Sequence, residues 1–250
     1  MTLSEAFVAA AGSVTGRDHR RAERDGQDGH AVVVSEDVVA VVVTDGCSSG
    51  RASEIGARIG AAWLATLIEQ RFRAASADTP LPLAAAAAEV VRELLVRLEV
   101  LARSLDAEGA VKAARIDEAL LFGFLAVVVT PGTTLVFGIG DGIILADGAI
   151  TVLDPGPENA PPYAAYGLLG AHLEPRVHFT RPTAEVDLVA VATDGLIPLA
   201  NTHALAELAA DPRYAKNPSL LRKRLVVLSD RGAFSDDATV AVVRRRSALR

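Results

Sequence analysis

The chain has 250 residues, half of them hydrophobic and 22% charged, with a net charge of −6. That composition supports a packed core, excludes a disordered chain, and leaves no basic footprint for nucleic acid. Cys47 is the only cysteine, which excludes an intrachain disulfide and suits a reducing compartment.

In chain order, Phe7–Val14 reads as a strand, and no Lys or Arg precedes the apolar stretch Phe7–Ala11 as a signal peptide would require. A polar stretch, Thr15–His30, leads to Ala31–Ser35 and Val38–Thr44. Joined by the turn-like pair Glu36-Asp37, these two form a hairpin. After Asp45-Gly46, apolar residues at helical spacing (Ile55, Ile59, Trp63, Leu67) predict a helix from Ser53, its candidate cap, to near Arg73. The Pro-containing stretch Ala75–Leu81 predicts a loop, and Ala84–Leu105 a second long helix. Strands follow at Leu120–Val129, Thr134–Gly140, Ile143–Ala146 and Ile150–Leu153. Asp154–Pro175, rich in Pro and Gly, reads as a surface excursion. Arg176–Thr180 and Asp187–Thr193 return to strands, Leu196–Ala210 and Ser219–Ser229 to helices, and Ala238–Arg244 closes the chain as a strand. The Arg-rich end (Arg244, Arg245, Arg246, Arg250) reads as a solvated strand end.

Strands interrupted by two helix pairs do not follow the alternation of a doubly wound sheet. The order predicts an α+β fold, with antiparallel sheets packed face to face and helix pairs outside. No repeat or boundary divides residues 1–250, so a single domain is expected. No apolar run reaches the ~18 residues of a membrane span, and the expectation is a cytoplasmic protein with no membrane partner. The oligomeric state is left open.

Four acidic residues stand at the ends of apolar runs: Asp45, Asp141, Asp194 and Asp236. A carboxylate at a strand end lies at the rim of a sheet. Several converging there repel each other unless a cation neutralises them. An all-oxygen set suits Mg²⁺ or Mn²⁺ and argues against zinc, which recruits His or Cys.

On these residues the chain resembles the metal-dependent serine/threonine protein phosphatases of the type 2C (PPM) class, in its bacterial branch. Gly26-Gln27-Asp28-Gly29-His30 resembles the first acidic motif, and Thr44-Asp45-Gly46 the central one. Gly138-Ile139-Gly140-Asp141-Gly142, Thr193-Asp194-Gly195 and Ser235-Asp236-Asp237-Ala238-Thr239 resemble the later ones, in the same order. The resemblance implies a β-sandwich with helices on both outer faces and a pair of Mg²⁺ or Mn²⁺ ions at one edge, with a third ion open. It implies that Asp45 bridges both ions, that Asp194 and Asp236 hold one, and that the Gly46 carbonyl helps hold the other. Asp28 acts directly or through a water. The implied activity is hydrolysis of phosphoserine or phosphothreonine in a phosphorylated protein substrate.

The sequence departs from the class in three places. Gln27 stands where many members carry Glu. Glu23 stands where better-known members carry a phosphate-binding Arg, with Arg24 the preferred substitute among its neighbours. Cys47 stands where some carry a His that serves as general acid, which leaves His19 as the nearby candidate. Asp141 is read as shaping its turn or standing behind the ligands, and Asp237 either as a ligand of an additional ion or as a cap of the last strand. These departures keep open a pseudophosphatase acting as a binding or regulatory module, and the anionic surface leaves a phosphatase of a small phosphorylated metabolite as a further alternative.

Overall fold

The computed structural model describes residues 1–73, 82–157 and 160–249. Among these residues ten strands form two five-stranded antiparallel sheets. One sheet has the order β1 (Phe7–Val14), β10 (Ala238–Arg245), β9 (Leu188–Ala192), β6 (Gly142–Ala146), β7 (Ala149–Leu153). The other runs β2 (Gly29–Val34), β3 (Val39–Gly46), β4 (Phe122–Val129), β5 (Thr133–Ile139), β8 (Arg176–Pro182). The predicted hairpin is β2–β3, with Gly29 opposite Thr44 and Val34 opposite Val39.

The uninterrupted valine run of β3 has a direct cause. Val39, Val41 and Val43 point between the sheets, against Val191, Ala241 and Val243 of the other sheet. Ala40 and Val42 point outward, under helices α3 (Ser53–Phe72) and α4 (Leu83–Ser104). Covered on both faces, the strand has no solvent side to mark with polar residues, and each fully buried valine contributes about 1.5–3 kcal/mol. On α4, Ala86, Val90, Leu94 and Leu98 recur every fourth residue and are all buried, the stripe of a helix packed along one face. Over the first sheet lie α6 (Ile197–Ala200), α7 (Ala204–Ala209) and α8 (Leu220–Asp230), packed through Leu205, Leu208, Leu221 and Leu225. The result is the expected four-layer α-β-β-α sandwich.

Local differences from the sequence reading have physical reasons. Ser53 is the first helical residue and not the cap, because its hydroxyl donates to the Cys47 carbonyl (2.9 Å). The expected helix Leu196–Ala210 breaks at Asn201–His203 into α6 and α7. Three short helices escaped the apolar pattern: α1 (Leu3–Ala6), α2 (Arg17–Arg21) and α5 (Ala113–Ala119). Residues 154–175 are not wholly a surface excursion, since a 3₁₀ turn at Ala164–Leu169 buries Ala164 and Ala165 against the α3/α4 layer. Arg245 is no solvated strand end: it stacks over the Phe7 ring at 4.6 Å and donates to the Val186 carbonyl (3.1 Å). The loop expected at 75–81 lies outside the described residues. No described helix is long and apolar enough to cross a membrane.

Candidate active site

Antiparallel pairing brings the acidic strand ends together. Asp28 immediately precedes β2, and its neighbour Gly29 pairs with Thr44, so Asp28 and Asp45 emerge side by side from adjacent strands. In the other sheet β9 and β10 are paired, so Asp194, just past β9, and Asp236, just before β10, share the same end. The two sheets are joined there by Thr193, whose hydroxyl donates to Asp28 Oδ2 (2.8 Å) and accepts from the Thr239 N–H (3.0 Å). Asp141 enters from the connection between β5 and β6. Asp28, Asp45, Gly46, Asp141, Asp194 and Asp236 all line one cavity of about 80 Å³.

The glycines beside these acids serve a purpose that the sequence reading missed. Gly46 ends β3 with no positive φ, so a sharp turn is not what requires a glycine there. A Cβ there would come within 2.5 Å of the Gln27 carbonyl oxygen. At Gly195 a Cβ would lie 1.8 Å from the Asp237 carbonyl oxygen. Both glycines let two main chains approach closely, and that approach draws the carboxylates of separate strands together.

The electrostatics of the cavity are one-sided. Burial, followed by repulsion from Asp237, pushes the Asp28 carboxyl well above the usual carboxylate range. Asp45 is pushed well up by burial and then by Asp28, Asp194 and Asp141. Asp194 is raised by burial and by Asp141 and Asp236, and Asp141 by burial. Among the described residues no Lys or Arg lines the cavity, and His19 is the one side chain there able to carry positive charge. Buried carboxylates of like charge with no protein counter-charge make a receptive site for a hard cation. The aspartates that line the cavity offer only oxygen donors, which fit Mg²⁺ or Mn²⁺, and the His19 imidazole on its wall is engaged by Asp237.

The remaining sequence candidates take distinct places. His19, on α2, lines the cavity, and its Nδ1 lies 2.9 Å from Asp237 Oδ2. Asp237 is buried and also accepts from the Gly16 N–H (2.7 Å) and the Gln27 N–H (2.6 Å), so it clamps α2 and the first acidic motif to the start of β10. His19, Asp236 and Asp237 also present ligand atoms within 4.8 Å of one another. Arg24 does not line the cavity; its guanidinium donates to the Gly50 (2.6 Å) and Ser48 (3.4 Å) carbonyls and holds the loop after Asp45-Gly46. Gln27 is buried, donates from Nε2 to the Gly50 carbonyl (2.9 Å) and is likewise absent from the cavity wall, while its Oε1 has no partner. Glu23 takes a left-handed conformation (φ 53°) just after α2. The Cys47 thiol lies 3.1 Å from the Ser49 hydroxyl. Tyr163 and Pro161 reach the cavity from residues 154–175. That contribution had no sequence signal beyond two aromatic residues in a Pro- and Gly-rich segment.

A family model described as protein phosphatase 2C matches residues 15–233. The chain belongs to the protein phosphatase 2C family. Solved bacterial structures share its fold. PppA of Pseudomonas aeruginosa, described as a key regulatory component of T6SS, is 16% identical over 96% of this chain and 98% of its own, with a TM-score of 0.63. The Mycobacterium tuberculosis serine/threonine phosphatase PstP/Ppp is 16% identical over the same shares, with a TM-score of 0.58. Stp1 of Staphylococcus aureus is 14% identical over 98% of this chain and 97% of its own, with a TM-score of 0.57. A structure of the PstP catalytic domain, 18% identical, holds 2 manganese ions. No curated protein matches the sequence. Family membership makes this chain a metal-dependent protein serine/threonine phosphatase, a hydrolase.

Proposed function

We propose that Asp28, Asp45, the Gly46 carbonyl, Asp194 and Asp236 hold two Mg²⁺ or Mn²⁺ ions, and that the chain hydrolyses phosphoserine and phosphothreonine in phosphorylated proteins. The observation that supports this reading is the cavity itself: four carboxyls raised by burial, three of them also by neighbouring carboxylates, with no Lys or Arg among the described residues lining it. When bound, paired divalent ions lower the pKa of water and offset charge on a phosphoryl group.

The chain's own residues supply position and protons. Asp28 is fixed by the Thr193 hydroxyl and Asp45 by the ladder of β3 and β4, opposite Gly123. Both therefore meet a cation with little rearrangement. His19 donates from Nδ1 to Asp237, which turns Nε2 into the atom available for a proton transfer. A serine or threonine leaving as an alkoxide needs such a proton, whereas nitrophenolate does not.

Two measurements test the reading. Turnover of p-nitrophenyl phosphate and of a phosphoserine peptide should require Mn²⁺ or Mg²⁺, stop with EDTA and fail to return with Zn²⁺. Replacing His19→Asn should slow the phosphopeptide far more than p-nitrophenyl phosphate. Metal binding without turnover of either substrate would instead assign the chain a binding role.

A further inference from the structure

On the other side of the Gly26–Gly29 segment lies a second cleft, of about 290 Å³ and opposite in character. Arg58 of α3 and Arg222 of α8, helices from the two outer layers, meet there with His30 of β2 and Ser13 of β1. Among the described residues neither arginine forms an ion pair. Arg58 is held in place by one bond, from its guanidinium to the Gly26 carbonyl (2.8 Å), and its remaining N–H donors stay available. Arg222 is fixed from below: a Cβ on Gly12 would lie 2.7 Å from its Cα, so α8 rests directly on β1 at this point. Its side chain and the His30 ring line the same cleft. Asp28 lines both this cleft and the acidic cavity, so a single residue separates the two.

In a chain of net charge −6, two unpaired guanidiniums converging with an imidazole from three elements form a receptor for an oxyanion. Arginine binds phosphate through forked, charge-assisted donors that no neutral ligand matches. We infer that the Arg58–Arg222–His30 cleft binds a phosphate-class anion, separate from the phosphoryl group that is hydrolysed. The anion has two sources, free phosphate or a second phosphorylated residue of the same substrate, and only the latter rests on the phosphatase reading.

Inorganic phosphate is the probe, used first with the whole protein in EDTA, where the acidic cavity repels anions and no turnover occurs. Titration followed by amide chemical shifts should move the Gly26 and Gly29 signals saturably. The Arg58→Gln, Arg222→Gln double variant should weaken binding about tenfold or more, as loss of two charge-assisted contacts requires. Its Mn²⁺-supported turnover of p-nitrophenyl phosphate should stay at the wild-type level, because neither residue lines the acidic cavity. No saturable shift, or the same affinity in the folded double variant, overturns the inference. If the double variant does not fold, Arg222→Gln alone is used, with the same two outcomes. A lower KM for a doubly than for a singly phosphorylated peptide, lost in the variant, assigns the site to substrate; equal KM values with phosphate binding intact assign it to free phosphate.

Discussion

At one end of the sandwich Asp28, Asp45, Asp141 and Asp194 face a shared cavity that, among the described residues, no Lys or Arg lines. After α7, Asp211 is as buried as Asp28 but lives differently. Its two carboxylate oxygens accept from the Arg213 N–H and guanidinium and from the Arg224 guanidinium. Burial and neighbouring carboxylates raise Asp45 well above the ordinary range, whereas the hydrogen bonds from Arg213 hold Asp211 well below it. The same side chain, buried twice, is satisfied once by the protein and once only by something from solution. A carboxylate that brings its own cation is structural, and a set that lacks one is where function is sought.

The largest expected effect is on activity. Asp45→Asn keeps the shape but removes the charge at the centre of the cavity. It should lower Mn²⁺-dependent turnover by more than about 100-fold, since even groups that only orient a metal ligand are worth 10–100-fold. Retention of wild-type turnover in this variant would remove Asp45 from the site. Asp211→Asn should leave turnover per folded molecule unchanged.

Gly195→Ala probes how the acidic end is held. It forces a Cβ against the Asp237 carbonyl, a main-chain atom that cannot swing aside. The expected loss is more than about 3 kcal/mol, a fall in Tm of roughly 6–12 °C for a chain of this size. A normal Tm would mean that the approach of these two chains is looser than 1.8 Å implies.

Asp211→Asn comes next. It removes charge-assisted bonds to two arginines, one of them largely exposed and therefore screened. A loss of about 1–2 kcal/mol is expected, a Tm drop of about 2–8 °C. The sign with pH is fixed. The folded carboxyl is held down relative to its unfolded value near 3.9, so the Asp211 contribution is present in full above that value. It is lost as pH falls through the depressed folded pKa. The Tm gap between wild type and Asp211→Asn should therefore persist at neutral pH and close in strong acid. A gap that opens instead as pH falls would contradict the ion-pair account.

Much of this was legible in the sequence because it depends on local pattern. Val38–Val43 announces a strand covered on both sides, and an acid directly after or before such a run must lie at a sheet rim. Which rims meet is decided by pairing, and motif resemblance stood in for that information. What stayed hidden depends on contacts distant along the chain. Nothing near Asp237 in sequence indicates that Gly16, His19 and Gln27 converge on it. Nothing in residues 154–175 says that Tyr163 returns to the cavity. Gly46 and Gly195 were visible as glycines, but their reason, close passage of a distant main chain, exists only in three dimensions. The polar helix α2 carries no apolar stripe, and so it escaped a reading built on hydrophobic periodicity.

The most direct test is the thermal stability of wild type and Asp45→Asn, each melted in EDTA and again with saturating Mn²⁺. In EDTA the variant should melt at or above wild type, because it relieves repulsion among Asp28, Asp45, Asp141 and Asp194. Mn²⁺ at about 100 times its Kd should stabilise wild type by about 2.7 kcal/mol, or roughly 5–10 °C, and should shift the variant far less. A variant that melts below wild type in EDTA yet gains the same Mn²⁺ shift would show that the cavity carboxylates are structural and that the cation binds elsewhere.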